Sequence, residues 1–127
     1  MKTFAFSAAA ILGFLGVAIG AFGAHAFKDL IALNGYQETF ETGTIYHLVH
    51  AVLLLGLGLI GEKGESTWLK VGIIACVAGI FLFSGSLYLL SLTAIKWLGA
   101  ITPLGGVGFL LSWASLLFHS LSKKTNP

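Results

Sequence analysis

Residues 3–27 read TFAFSAAAILGFLGVAIGAFGAHAF, which is a run of 25 residues without a charged side chain. About 20 apolar residues are needed for a helix to cross the hydrocarbon core of a bilayer, so this stretch is long enough to span it once. Lipid offers no hydrogen-bond partners to the backbone, and a helix satisfies its own backbone groups within one segment. The stretch therefore predicts a membrane-spanning helix.

Three more charge-free runs follow, at residues 42–61, 71–95 and 97–122. The chain is 57% hydrophobic and 9% charged, whereas about a quarter of the residues are charged in ordinary soluble domains. Residues 53–55 and 80–83 are apolar without interruption, which argues against the alternating strands of a membrane barrel. We predict an all-α membrane fold with a single integral membrane domain over residues 1–127. It is a four-transmembrane-helix bundle with spans at about 4–27, 42–61, 70–91 and 103–122.

The first run also has features of a cleavable leader. Lys2 gives it a basic start, and residues 24–26 read Ala-His-Ala, a small-x-small ending. However, the run is longer than the apolar region of a typical leader, and glycine recurs along it in a pattern suited to helix packing. We expect the first run to be retained as a transmembrane helix.

The segment between the first two runs, residues 28–41, reads KDLIALNGYQETFE and is too long for a simple turn. Asn34 is a candidate N-cap for a helix beginning at Gly35 or Tyr36, with Gln37 at the third helical position as in a capping box. We therefore predict a short interfacial helical extension over residues 36–41 that leads into the second span.

The lysines are distributed unequally between the two sides of this predicted bundle. Five fall on the side of the two termini and two on the other side, and the chain has no arginine. Cytoplasmic loops carry the excess of basic residues, so both termini are expected in the cytoplasm. The net charge of +2 is small and scattered, which indicates the lipid bilayer as a partner and no nucleic acid.

Small residues recur at helical spacing within three of the spans. Because lipid provides little hydrophobic drive for helix association, such residues are expected where helix backbones approach closely. We interpret them as packing positions inside the bundle. The alternative is that these stripes of small residues join two copies of the chain in a homo-oligomer. The positions are Gly13, Gly16, Gly20, Gly23, Gly79, Ser84, Gly85, Ser86, Gly105, Gly108 and Ser112.

The polar residues of the first two spans form the candidate polar or ligand site. Tyr46, His47 and His50 share one face of the second helix, because residues three or four apart lie on the same side. His25 ends the first span on the same side of the membrane, and Glu41 is a nearby carboxylate. We predict that His25 converges with His47 and His50 near the outer interface.

Four interpretations of these histidines remain open. In the structural interpretation, which we favour, each histidine is hydrogen-bonded to a neighbouring helix or to the headgroup region. The cluster also suits a transition metal, a haem held by two histidines, or a path for protons or a solute. No cofactor is predicted, and whether a metal binds is left open.

Four stretches of the chain resemble successive signature blocks of the domain-of-unknown-function 423 family. They read GAFGAHAF, FETGTIYHLVHAV, FSGSLYLL and GAITPLGGVGFLLSWA, and they follow one another in order between residues 20 and 114. The family consists of small bacterial inner-membrane proteins related to the eukaryotic transmembrane protein 256. The resemblance implies a multi-pass protein of the bacterial inner (plasma) membrane with four helices, and it implies no established activity.

Two classes of function follow for such a polytopic protein of uncharacterised activity. The first is a non-enzymatic helical bundle that serves as an accessory or organising subunit. The second is a small membrane module that handles a ligand, a metal or protons through its outer-leaflet histidines. We predict the first class, and therefore no enzymatic activity.

Overall fold

The computed structural model describes residues 1–64 and 66–124 and contains no strand in that part of the chain. Four helical segments are long and apolar enough to cross a membrane, which confirms the predicted all-α membrane fold with four transmembrane helices. They are Lys2–Ala26, Gln37–Gly61, Thr67–Thr93 and Lys96–Lys123.

We name the helices in chain order. Helix α1 is Lys2–Ala26, α2 is the short helix Lys28–Asn34, and α3 is Gln37–Gly61. Helix α4 is Thr67–Thr93, and α5 is Thr102–Lys124. A 3-10 turn at Lys96–Ala100 connects the last two.

Helices α1 and α4 each contain one π-helical turn, which the sequence pattern did not indicate. In α1 the turn is Ile19–Gly23, and in α4 it is Ile80–Ser84. A π-turn inserts an extra residue into the helix and shifts the face that the following residues present. In α4 the turn ends at Ser84, whose hydroxyl donates a 2.7 Å hydrogen bond to the Gly43 carbonyl of α3.

The segment before α3 is helical, but the predicted cap at Asn34 is wrong. Asn34 is the last residue of α2, and Gly35 follows it with a φ of 76°. The amides of Gly35 and Tyr36 donate to Ala32 and Ile31, which is the hydrogen-bond pattern of a Schellman motif. Glycine adopts this left-handed conformation at no steric cost, so it ends a helix here instead of following an N-cap.

Residues 37–41 then form the beginning of α3, so the predicted helical extension starts one residue later than expected, and its Phe40 is buried. The side-chain amide of Asn34 donates a 3.0 Å hydrogen bond to the Ser91 carbonyl near the end of α4. This bond links the segment before α3 to the last turn of α4.

The long helices pack mainly against their neighbours in this order: α1 on α3, α3 on α4, and α4 on α5. In an apolar stretch of 18 residues from each membrane-spanning segment, 44% is buried in α3 and 50% in α4, but only 22% in α1 and in the last span, which contains α5. Helices α1 and α5 therefore expose most of their surface to lipid. Side chains from all four helices form the core, including Leu12, Leu54, Ile73 and Phe109.

Most of the predicted small residues lie where helices meet. A β-carbon at Gly16 would lie 2.7 Å from Leu48 of α3, and one at Gly20 would lie 2.7 Å from Thr44. Such a carbon at Gly79 would lie 2.6 Å from Phe109 of α5. Five further positions also have close neighbours: Gly23 beside Phe40, Gly105 against the Phe83 backbone, Gly108 beside the Ala75 carbonyl, Ser86 bonded to Thr102, and Ser112 bonded to Gly72.

Two of the glycines differ from the packing prediction. A β-carbon at Gly13 or at Gly85 would meet no atom within 4 Å. Neither glycine is needed for a helix contact within the chain, because each faces open space. Helical spacing alone did not separate these two from the stripes to which they belong.

Candidate functional site

His47 lies at the centre of the contacts between α1, α3 and α4, and its side chain is buried. Its Nε2 is 2.7 Å from the Leu12 carbonyl of α1, and its Nδ1 is 2.8 Å from the Tyr88 hydroxyl of α4. Gly16 makes the first contact accessible, because a β-carbon there would lie 3.3 Å from His47 Nε2. His47 therefore connects three helices through one side chain.

His50 lies one turn deeper on α3 and is also buried. Its Nδ1 is 2.7 Å from the Tyr46 carbonyl, and its Nε2 accepts a 3.1 Å hydrogen bond from the indole N–H of Trp113 in α5. The imidazole stacks on Phe109 with ring centroids 3.6 Å apart. This residue therefore connects α3 to α5.

The partners of these rings fix their proton positions in the neutral state. A carbonyl only accepts, so His47 carries its proton on Nε2 and accepts from Tyr88 at Nδ1. His50 has the opposite arrangement, because its Nδ1 faces a carbonyl and its Nε2 faces an indole that only donates. All four ring nitrogens are thus used in hydrogen bonds within the bundle.

Tyr46 lies at the edge of this group and is 43% exposed. Its ring is 4.6 Å from that of Phe83 and 6.0 Å from that of His50, measured between centroids. Tyr46 therefore contributes an aromatic contact and its backbone carbonyl.

His25 does not join His47 and His50, so the predicted convergence is wrong. The packing of α1 on α3 places Gly16 beside His47, Gly20 beside Thr44 and Gly23 beside Phe40. At 1.5 Å per residue, His25 lies about 13 Å further along α1 than Gly16. The pairing of the two helices thus sets His25 level with the beginning of α3.

No group of three or more His, Cys, Asp or Glu residues in the described part of the chain is arranged to hold a metal ion. A metal at His47 or His50 would have to take a nitrogen lone pair that an internal donor now occupies. The geometry therefore offers hydrogen bonds between helices and no preformed ligand set at these histidines.

His25 and Glu41 instead line a cleft between the end of α1 and the beginning of α3, which we call the outer cleft after the predicted orientation. Lys28 and Gln37 complete its polar rim, and Ala24, Ile31 and Phe40 form its apolar wall. His25, Lys28 and Glu41 are exposed. Among the described residues, none of these three side chains has a hydrogen-bond or ion-pair partner.

Sequence reasoning does not single out Tyr88, and it leads to a serine or a backbone carbonyl, not His50, as the partner of Trp113. A tryptophan in the middle of a transmembrane helix needs an acceptor for its indole N–H, and that requirement is a usable signal for Trp113. Tyr88 lies in an apolar stretch near the end of α4, and nothing in its spacing marks it.

A family model described as "Protein of unknown function (DUF423)" matches residues 19–106. No solved structure matches the chain. The matched range includes His25, His47, His50 and the outer cleft.

The chain is also similar to curated bacterial proteins. It is 44% identical over 115 residues to the UPF0382 membrane protein YwdK of Bacillus subtilis, covering 85% of this chain and 88% of that protein. It is 38% identical over 117 residues to the UPF0382 inner membrane protein YgdD of Escherichia coli, covering 91% and 88%. A UPF0382 membrane protein of Staphylococcus epidermidis is 39% identical over 112 residues, covering 88% and 90%. The chain is therefore a membrane protein that belongs to the DUF423 family.

Proposed function

We propose that this protein is a non-enzymatic helical bundle of the bacterial inner membrane that serves as an accessory or organising subunit. The observation that carries the proposal is the full use of the His47 and His50 ring nitrogens by internal partners. In this function the two histidines hold helices together, and the exposed helix surfaces meet lipid or other membrane proteins.

The hydrogen-bond arrangement supports a structural role over a chemical one. Metal and haem binding both need a free imidazole nitrogen, and proton transfer needs a nitrogen that changes partners during the cycle. At His50 a second ring proton would point at the indole N–H of Trp113, so protonation would break this contact. No cofactor is proposed at either residue.

The names of the relatives support the proposed location, and the charges support the proposed orientation. The Escherichia coli relative is named an inner membrane protein, and we propose the same membrane for this chain. Lys2 pairs with Glu62 at 2.9 Å, which brings the beginning of α1 to the end of α3 on the side that carries most lysines. We propose that this side, with both termini, faces the cytoplasm.

Association with a second copy would have to use surfaces that the chain leaves free. Most of the small-residue stripes are occupied by helix contacts inside the chain, whereas Gly13 and Gly85 are not. The outward faces of α1 and α5 carry exposed apolar side chains such as Phe14 and Leu110. Any homo-oligomer is therefore proposed to form on these faces.

One observation favours a ligand-binding module as the second candidate function. The outer cleft brings His25, Lys28 and Glu41 together without partners among the described residues. In this second candidate function the ligand site is the outer cleft at the membrane surface, and not the buried side chains of His47 and His50.

Metal analysis and visible absorption of the purified protein test the first candidate. We expect no stoichiometric transition metal and no Soret band, and we expect the same result for His25→Ala and His50→Ala. Stoichiometric metal or haem in the native protein that is lost in His50→Ala would overturn the structural role of the histidines.

A reporter fused to the C-terminus tests the orientation in the membrane. Activity of a reporter that works only in the periplasm would reverse the proposed orientation.

A further inference from the structure

Two further clefts lie along the contact between α1 and α3, one adjoining the outer cleft and one deeper. The middle cleft shares Ala24, Phe40 and Glu41 with the outer one and adds Gly20, Thr44 and Ile45. The deeper cleft is bordered by Gly13, Val17, Leu48, Val52 and Leu55, together with four residues nearer the start of α1 or within α3.

The spacing of the lining residues shows that these clefts follow one line. On α1 they include positions 13 and 17 before the π-turn and 20 and 24 from it onward, and on α3 they include positions 41, 45, 48, 52 and 55. Helix α3 is α-helical throughout, so steps of three and four residues keep to one side of it. The three clefts therefore lie in one row on the same side of α3, beside α1, and we call this row the α1–α3 groove.

The α1–α3 groove has a charged upper end and an apolar lower part. Lys28 and His25 can face an anionic group there, with the Gln37 amide as an additional donor, while Glu41 can face a cation. Below them the middle and deeper clefts are lined mainly by apolar residues. A molecule complementary to this surface carries an anion and a cation in its head and a hydrocarbon tail.

The length of the groove suits such a tail. From Glu41 to Leu55 the rise along α3 is about 21 Å, whereas one leaflet of hydrocarbon is about 15 Å deep. Gly13 leaves room in the deeper cleft, because a β-carbon there would meet no atom within 4 Å. An acyl chain can therefore follow the groove through the whole leaflet.

We propose that the α1–α3 groove binds a phospholipid whose head group carries a primary amine. Lys28 and His25 hold the phosphate, and Glu41 holds the ammonium group. One acyl chain lies along the α1–α3 groove past Gly20 and Gly13. This inference rests on the second candidate function, and it assigns the ligand class of the outer cleft. It requires no metal and no contribution from the buried histidines.

The test measures lipid retention by the full chain in detergent, using native mass spectrometry after incubation with defined lipids. Phosphatidylethanolamine is compared with phosphatidylglycerol, which keeps the phosphate but lacks the amine. We expect the native protein to retain the amine-bearing lipid about fivefold more strongly, the size expected for one interfacial ion pair. Equal retention of both lipids by the native protein would overturn the proposal without any substitution.

Glu41→Gln tests recognition of the amine, and Glu38→Gln is its matched control. Glu38 is also an exposed acidic residue in the first turns of α3, but it does not line the cleft. We expect Glu41→Gln to abolish the preference between the two lipids and Glu38→Gln to preserve it. The same effect from both variants would show that general surface charge, and not the cleft, causes the preference.

Gly13→Leu tests the path of the acyl chain, with Gly56→Leu as its control. A β-carbon at either glycine would meet no atom within 4 Å, but only Gly13 lines the groove. Gly13→Leu should weaken retention of both lipids, whereas Gly56→Leu should not. Equal retention by the two variants would refute the acyl path. Metal or a Soret band in the same preparations would instead refute the structural role of the histidines and leave the groove intact.

Discussion

Replacing His47 with phenylalanine removes the connection between α1, α3 and α4 while keeping a ring of similar size. The change loses two hydrogen bonds, one of 2.7 Å to Leu12 and one of 2.8 Å to Tyr88. Hydrogen bonds between transmembrane helices average about 0.6 kcal/mol and reach about 1.7 kcal/mol. We therefore expect His47→Phe to lower the free energy of unfolding by about 1–3 kcal/mol.

His25→Phe is the matched control, because it makes the same chemical change at an exposed position. Surface substitutions without partners usually change stability by less than about 0.5 kcal/mol. The assay is reversible unfolding in mixed micelles of a non-ionic detergent and dodecyl sulfate, followed by circular dichroism. Equal loss of stability in the two variants would refute the structural role of His47.

A double-mutant cycle isolates the bond between His47 and Tyr88. Tyr88→Phe removes only the hydroxyl, so the two single variants and the double variant share one lost interaction. We expect a coupling free energy of about 0.6–1.7 kcal/mol in the same assay. Additivity within about 0.3 kcal/mol would show that this bond contributes nothing to stability.

Two further predictions use the same assay. Trp113→Phe should lower the free energy of unfolding by about 1–2 kcal/mol, because it leaves the buried Nε2 of His50 without its donor. Its control, Trp97→Phe at an exposed position, should be nearly neutral. Equal effects of the two substitutions would contradict the indole–imidazole bond. Gly105→Ala should lower the free energy of unfolding by at least about 1–3 kcal/mol, because its methyl group would overlap the backbone of α4. In its control, Gly85→Ala, the methyl group faces open space. If Gly105→Ala destabilises the protein no more than Gly85→Ala does, the close approach of α4 and α5 is wrong.

The sequence was sufficient to predict the four membrane helices, because length and absence of charge determine what a bilayer accepts. It did not predict where α2 ends, since Asn34 followed by glycine is consistent with either a helix start or a helix stop. The backbone hydrogen bonds of Gly35 and Tyr36 decide between the two. The π-turns in α1 and α4 have no sequence signature that the pattern could supply.

The candidate site could be predicted only in part. Spacing on one helix placed Tyr46, His47 and His50 on one face, but it contains no information about the register of α1 against α3. That register depends on which glycine admits which neighbour, and Gly16 admits the ring of His47. His25 was therefore assigned to the wrong partners, because a shared side of the membrane does not fix depth.

Several polar side chains of this bundle donate to backbone carbonyls of neighbouring helices. Examples are His47 to Leu12, Ser84 to Gly43, Ser112 to Gly72 and the Cys76 thiol to His50. A helical carbonyl has a second lone pair beyond its own helix bond, so removing such a donor leaves no unsatisfied acceptor. Loss of one such hydrogen bond, at about 0.6 kcal/mol, should therefore cost less than added volume at the glycines that let the helices approach.

The contact between Ser84 and Gly43 allows a direct comparison. Ser84→Ala removes one hydrogen bond and should cost about 0.6 kcal/mol. A β-carbon at Gly43 would lie 3.1 Å from Tyr88, whose hydroxyl is held by His47, so that ring has little freedom to move away. Gly43→Ala should therefore cost more, about 1–3 kcal/mol. The reverse order of the two free energies would show that hydrogen bonds, and not close backbone approach, limit the stability of the bundle.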